Sequence, residues 1–177
     1  MGKDAATSID WILGSRSPRR QELLKPLLHP AAFRIVAPLK SEEPDFERLS
    51  RWSRIESRLR EIARLKSEDV AGQLLVQTSA CGENEPDVKS LQAVICADTT
   101  VIVGERDGEL EAIGQPPETE EWRDVVRDWF RRHYLGKTHR VATCLRVTAS
   151  DGRVGERVVV TNVTFGASGE QWLDWYL

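Results

Sequence analysis

Residues 93–97 read Ala-Val-Ile-Cys-Ala and are apolar at every position. A half-wetted strand would alternate, so this run predicts a strand covered on both faces, as in the sheet of an α/β protein. Asp98 follows at once and is expected to end the strand. Val101 to Val103 continue it, and Asp107-Gly108 turns the chain into a hairpin partner over 110–113. A carboxylate at the end of a buried strand is costly unless a partner, a metal or an open cleft receives it. In open sheets ligands gather at strand ends, which makes Asp98 the leading candidate for a functional acid. The competing reading is a turn cap shared with Thr99 and Thr100.

The stretch WILGSRSPRR, residues 11–20, has a second strong local pattern. Trp11, Ile12 and Leu13 suit a short buried strand, broken by Gly14 and Ser15. Ser17 is a good helix N-cap and Pro18 suits the first helical position, which predicts a helix over 18–24. Arg19 and Arg20 then sit in its first turn, where the helix dipole disfavours cations. A bound anion would reverse that penalty, so strand, turn and paired guanidiniums form a candidate phosphate cradle. A solvated helix start, or a basic peptide, would use the same residues differently.

Further along, Phe33 to Ala37 reads as a strand and Ser41, Glu42, Glu43 and Pro44 as an acidic loop. Glu42 and Glu43 could give an oxygen to Mg²⁺ or simply be solvated. Leu49, Trp52, Ile55, Leu59 and Ile62 recur at helical spacing and predict a helix over 49–66. Most of Arg51, Arg54, Arg58, Arg60 and Arg64 are expected to face water. Lys66, at its end, complements the dipole. Periodicity is lost over 67–91, expected to be a surface loop or insertion, although residues 71–77 could extend the helix.

Pro116 and Pro117 precede a helix whose stripe is Trp122, Val125, Val126, Trp129 and Phe130, with Thr119 as cap and Gly136 as terminator. A half-exposed strand begins at Thr138 and His139, where His139 suggests a hydrogen-bonded surface residue. Asp151-Gly152 turns it into a strand over 157–165, and Ser168 with Gln171 predicts a capped final helix. The six tryptophans lie mainly on helix faces and read as core.

The 177 residues suit one domain, and 40% apolar with 30% charged side chains suits a water-soluble globule. No apolar run reaches membrane-span length, and Lys3, Asp4 and Asp10 interrupt any secretory signal. Three cysteines without metal-like spacing suggest reduced thiols and a cytoplasmic setting. His29, His133 and His139 are too scattered for a zinc site. Net charge is -3, yet the first 66 residues carry 14 basic and 9 acidic groups and the rest 11 and 19. A basic first third fits a small anion better than duplex DNA.

Several segments, in order, resemble the Maf family of nucleoside triphosphate pyrophosphatases. GSRSPRR at 14–20 is similar to its opening motif, IARLKS to its lysine segment, CADTTV at 96–101 to its Ala-Asp-Thr-Val motif and GKTHRVAT at 136–143 to its Gly-Arg-Thr-His segment. The Glu42-Glu43 loop and VVTNVTF at 159–165 also take their places. The resemblance implies a mixed, twisted central sheet flanked by helices, like that of inosine triphosphatases. It implies hydrolysis of a triphosphate between its α and β phosphates. Asp98 would be the general base. Ser15, Ser17, Arg20 and Lys66 would hold phosphates, and Arg19 and Thr99 would bear on substrate choice. Glu42, Glu43 and Asp98 would place Mg²⁺ or another divalent metal. The Thr138-His139 pair looks like the branch acting on dTTP and UTP.

Two departures accompany it. Gln115 stands where the family has a lysine, so one charged phosphate contact is lost. The family's segment beyond residues 172–177, with its Gly-Ile-Gln-Gly motif, is not found, so a C-terminally shortened domain is expected. A working pyrophosphatase is thus the first expectation, and an impaired nucleotide-binding relic or fragment the second. No stable nucleic-acid partner and no membrane are expected, and a homodimer is compatible with the resemblance.

Overall fold

A computed structural model describes residues 11–28, 33–39, 44–80, 93–104 and 108–177. Strand β1 (Trp11–Gly14) leads into helix α1 (Pro18–Leu24) and then strand β2 (Phe33–Ile35). The long helix α2 (Trp52–Ala80) precedes β3 (Ala93–Gly104), β4 (Leu110–Ile113) and α3 (Trp122–Trp129). A π-helical turn (Phe130–Tyr134) joins α3 to β5 (Thr138–Ala149) and β6 (Val154–Thr164). The chain closes with a 3₁₀ turn (Ala167–Trp172) and α4 (Leu173–Tyr176).

Six strands form one mixed sheet in the order β2-β1-β3-β5-β6, with β4 on the later part of β3. β1 runs parallel to both β2 and β3, whereas β4 is antiparallel to β3. The mixed sheet with helices agrees with the expected fold class. By its contacts the chain divides into two compact units. The first is Met1–Glu43, Arg60–Asp98 and Cys144–Arg157, and the second Pro44–Leu59, Thr99–Thr143 and Val158–Leu177.

In the first unit Ile12, Val70, Leu74, Val94 and Cys96 pack together, with Val36 against them. Val94, Ile95 and Cys96 are all buried, as an uninterrupted apolar run requires. In register, Gly14 stands beside Cys96. A methyl group at Gly14 would collide with Cys96 Sγ and press on Val70. Close approach of β1 to β3 therefore demands glycine there.

Several local expectations need correction. β3 does not stop at Asp98 but runs unbroken from Ala93 to Gly104, because the carboxylate finds a cationic partner inside the unit. Residues 67–80 are not loop: α2 continues to Ala80, with Ser67, Val70 and Leu74 extending its buried stripe. That stripe mixes small and polar residues with apolar ones, which hid its period. Residues 81–92, like Glu42, Glu43 and Asp107, lie outside the described residues. Arg60 turns inward to Glu156 at 2.8 Å, and Arg146 meets the other oxygen of Glu156 at 2.8 Å. Burial works against charge on Glu156, yet those hydrogen bonds hold its carboxyl below the ordinary range.

In the second unit Val103, Ile113, Val126, Phe130, Tyr134 and Leu173 form the core. Thr119 does not cap α3 through its side chain; Glu121 occupies the cap position and the Thr119 carbonyl accepts from Trp122 N. The helix ends in a π turn, where Leu135 N donates to Phe130 O, before Gly136 reverses the chain at φ 67°. Ser168 caps nothing, since it lies within the 3₁₀ turn begun at Gly166. The tryptophans divide: Trp122 and Trp129 are partly buried and pack against this core, whereas Trp172 and Trp175 are 61% and 83% exposed. Leu173 of that segment is buried, and Leu177 packs partly buried against the same core.

Overpacking at Gly14 gives a direct test of the strand contact. Gly14→Ala is expected to cost about 1–3 kcal/mol of stability. Combining it with Cys96→Ala, which removes the colliding sulfur, should recover part of that loss in urea melts. Strict additivity of the two substitutions would contradict the contact.

Candidate active site

The candidate site in the first unit begins where β1 stops. β1 ends at Gly14, opposite Cys96, while β3 continues. Ala97 and Asp98 thus stand just beyond the last β1 residue, the strand-end position at which open sheets receive ligands. The turn at 15–17 and the start of α1 fill the adjoining space. Ser15 is buried, and its Oγ accepts from Ser17 N at 3.2 Å and from Arg20 at 3.4 Å. Ser17 caps α1 as expected, with Arg20 N donating to its Oγ at 3.5 Å.

Successive arginines point differently. Arg19 is exposed on α1. Arg20 turns back to β3, where its guanidinium donates to Ala97 O at 2.8 Å. Lys66 approaches from α2 and meets Asp98 Oδ1 at 2.7 Å, with both side chains largely buried (14% and 12% exposed). Lys66 is mid-helix and not at a helix end, so the dipole does not account for it. It follows Leu59 by seven residues and Ile62 by four, which places an ammonium on the core-facing stripe. That register was readable from the sequence once the helix was allowed to continue.

Residues 15, 17, 20, 66 and 98, drawn from three separated segments, therefore converge within one unit. Burial pushes the Cys96 thiol up to about 11 against the opposing charges of Lys66, Arg20 and Arg146. Cys144 is likewise raised to about 11, chiefly by burial and by Glu156. Both thiols are unpaired and protonated at neutral pH, so neither is a nucleophile.

Among the described residues, the other expected site residues, Thr99, Gln115, Thr138 and His139, belong to the second unit. Thr99, exposed, shares a hydroxyl hydrogen bond with Thr143 at 3.0 Å. Thr138 and Thr164 do the same at 2.7 Å. Gln115 is exposed after β4. His139 is not a surface residue: it is 6% exposed, with Tyr134 at 4.5 Å and Phe165 stacked at 5.7 Å. Its Nδ1 is buried without a hydrogen-bond partner among the described residues. Apolar positions on either side of His139 in the folded unit come from the π turn and the end of β6, which sequence spacing does not reveal.

No group of three or more His, Cys, Asp or Glu side chains suited to a metal occurs among the described residues. Asp98 offers one carboxylate. Mg²⁺ commonly takes one or two carboxylates and completes its shell from phosphates and water, so this donor set suits a cation carried in with a polyphosphate. No helix of the described residues is long and apolar enough to cross a membrane.

In an α/β sheet of this kind, Asp98 of β3 is thus paired with Lys66, and Arg20 is bonded to the carbonyl just before it. The chain belongs to the Maf-like protein family, which it matches over residues 10–177. It is 33% identical over 168 residues to a dTTP/UTP pyrophosphatase of Lacticaseibacillus casei, covering 94% of this chain and 72% of that protein. A dTTP/UTP pyrophosphatase of Anaeromyxobacter dehalogenans is 27% identical over 169 residues, covering 94% and 69%. In fold the chain is similar to the Ham1 protein of Staphylococcus aureus, with a TM-score of 0.52 at 13% identity over 89% of this chain and 72% of that one.

The buried imidazole predicts a pH signature. Burial lowers the His139 pKa from 6.5, so the unfolded chain takes up this proton first as the medium is acidified. Its contribution is intact above about pH 6.5 and is lost as pH falls towards the lower folded-state value. His139→Phe is expected to flatten that part of the acid-side decline in thermal melts. A decline parallel to wild type would rule the assignment out.

Proposed function

We propose that the protein is a nucleoside triphosphate pyrophosphatase that converts dTTP, UTP or a related nucleotide to the monophosphate and pyrophosphate. The observation that carries this reading is the Lys66–Asp98 pair beside Arg20, in a chain of the Maf-like family. The names of the relatives support the choice of pyrimidine triphosphates.

In this reading Arg19, Ser17 and Lys66 meet the phosphate tail. Lys66 has three donors and can bind a phosphate oxygen while still touching Asp98. Asp98 takes a proton from water as the water oxygen attacks the α phosphorus. The α–β anhydride breaks, pyrophosphate leaves with the bridging oxygen, and the proton passes from Asp98 to solvent. A divalent cation, held by Asp98 with the acids at Glu42 or Glu43 and by the substrate, would offset the polyphosphate charge. The family resemblance ties Thr99 and the Thr138-His139 pair to the choice of nucleotide. The protonated thiols accord with a cytoplasmic setting.

Gln115 favours a second reading, nucleotide binding with little turnover, because the family resemblance puts a lysine where this chain has an uncharged, exposed amide. One assay separates the two. With dTTP, UTP and a panel of other triphosphates in Mg²⁺, the first reading gives pyrophosphate, with ¹⁸O from labelled water in the monophosphate. Asp98→Asn should slow that reaction by about 10²-fold or more. Binding without turnover, rescued by Gln115→Lys, would establish the second reading. A wild-type protein that neither binds nor hydrolyses any triphosphate would defeat both.

A further inference from the structure

We infer that Arg20 is a positioning residue for Asp98 and not a phosphate ligand, an inference that rests on the pyrophosphatase reading. The guanidinium donates at 2.8 Å to the carbonyl of Ala97. That carbonyl belongs to the peptide unit that ends at Asp98 Cα. Because the unit is planar, fixing its oxygen restricts the direction in which the Asp98 side chain leaves the strand. β1 has already stopped here, with Gly14 opposite Cys96. The first two residues of β3 beyond that point have no β1 neighbour in register, and Arg20 supplies a donor in its place.

The arginine is itself braced. Its guanidinium also approaches Ser15 Oγ at 3.4 Å, and its backbone N–H reaches the capping Ser17 Oγ. Ser15 is 4% exposed and is held by Ser17 N as well. Asp98 is therefore restrained twice, at its backbone through Arg20 and at Oδ1 through Lys66. Arg19, its exposed neighbour on α1, is left to meet the phosphates. The adjacent arginines divide the work: one recognises the anion, the other aims the base.

The test compares Arg20→Met, Arg20→Lys and Arg19→Met. Three quantities are read: turnover of dTTP, affinity for its non-hydrolysable α,β-methylene analogue, and amide hydrogen exchange at Asp98 and Thr99. Arg20→Met should lower kcat at least about tenfold, keep analogue affinity within about threefold of wild type and speed exchange at Asp98. Arg20→Lys, which keeps one donor for the carbonyl, should recover part of kcat and of the protection. Arg19→Met should instead weaken analogue binding. The proposal is overturned if Arg20→Met loses analogue affinity as steeply as turnover, or leaves exchange at Asp98 unchanged. Should wild type show no turnover, the pyrophosphatase reading fails, and affinity and exchange still decide the role of Arg20. If Arg20→Met does not fold, Arg20→Lys is judged by the same split against Arg19→Met.

Discussion

An ammonium and a carboxylate, 2.7 Å apart and largely withdrawn from water, set the terms for the first unit. Lys66 sits on the inward stripe of α2 and Asp98 within β3, directly after five buried apolar residues. Either charge alone would be strongly penalised there, and the pair together returns little net stability once desolvation is counted. Apolar residues of similar size would pack as well. Stability alone therefore does not account for an ion pair at this point of the sheet.

Neighbouring contacts hold the elements around the pair in place. Gly14 lets β1 lie against Cys96, which places the turn at 15–17 level with the end of the buried run. Ser15 and Arg20 then tie the start of α1 to β3. Ser67, next to Lys66, shares a hydroxyl hydrogen bond with Thr148 at 2.9 Å, which braces α2 against β5. Asp69 accepts from Leu39 N and Gln73 donates to Ala37 O, so the same helix also holds the segment after β2. A charge on α2 is thus positioned by small polar residues around it. None of those serine, threonine or glutamine positions stands out in the sequence.

The second unit rests on aromatic packing. Phe130 makes edge contacts with Tyr134 at 5.0 Å and Phe165 at 5.3 Å, and His139 lies flat against Phe165. Phe130 and Tyr134 belong to the π turn, whose wider winding ends the helix before Gly136. Periodicity of 3.6 predicted the stripe of α3 and its terminator but carries no signature of such a turn. The two C-terminal tryptophans misled for a related reason. Helical spacing marks a face without saying whether anything lies over it, and Trp172 and Trp175 are open to water.

Local chemistry decided what local chemistry can. Ser17-Pro18 started a helix and five apolar residues made a covered strand, because capping and burial patterns act within a few residues. Ordered motifs identified the family for the same reason, since each is a short run of side chains. Only the tertiary structure decided that Lys66 faces Asp98, that Arg20 turns inward while Arg19 stays out, and that His139 is sealed among rings. Those outcomes depend on partners 32 and 77 residues away in the chain. A sequence names such side chains without stating which of them the folded backbone will bring face to face.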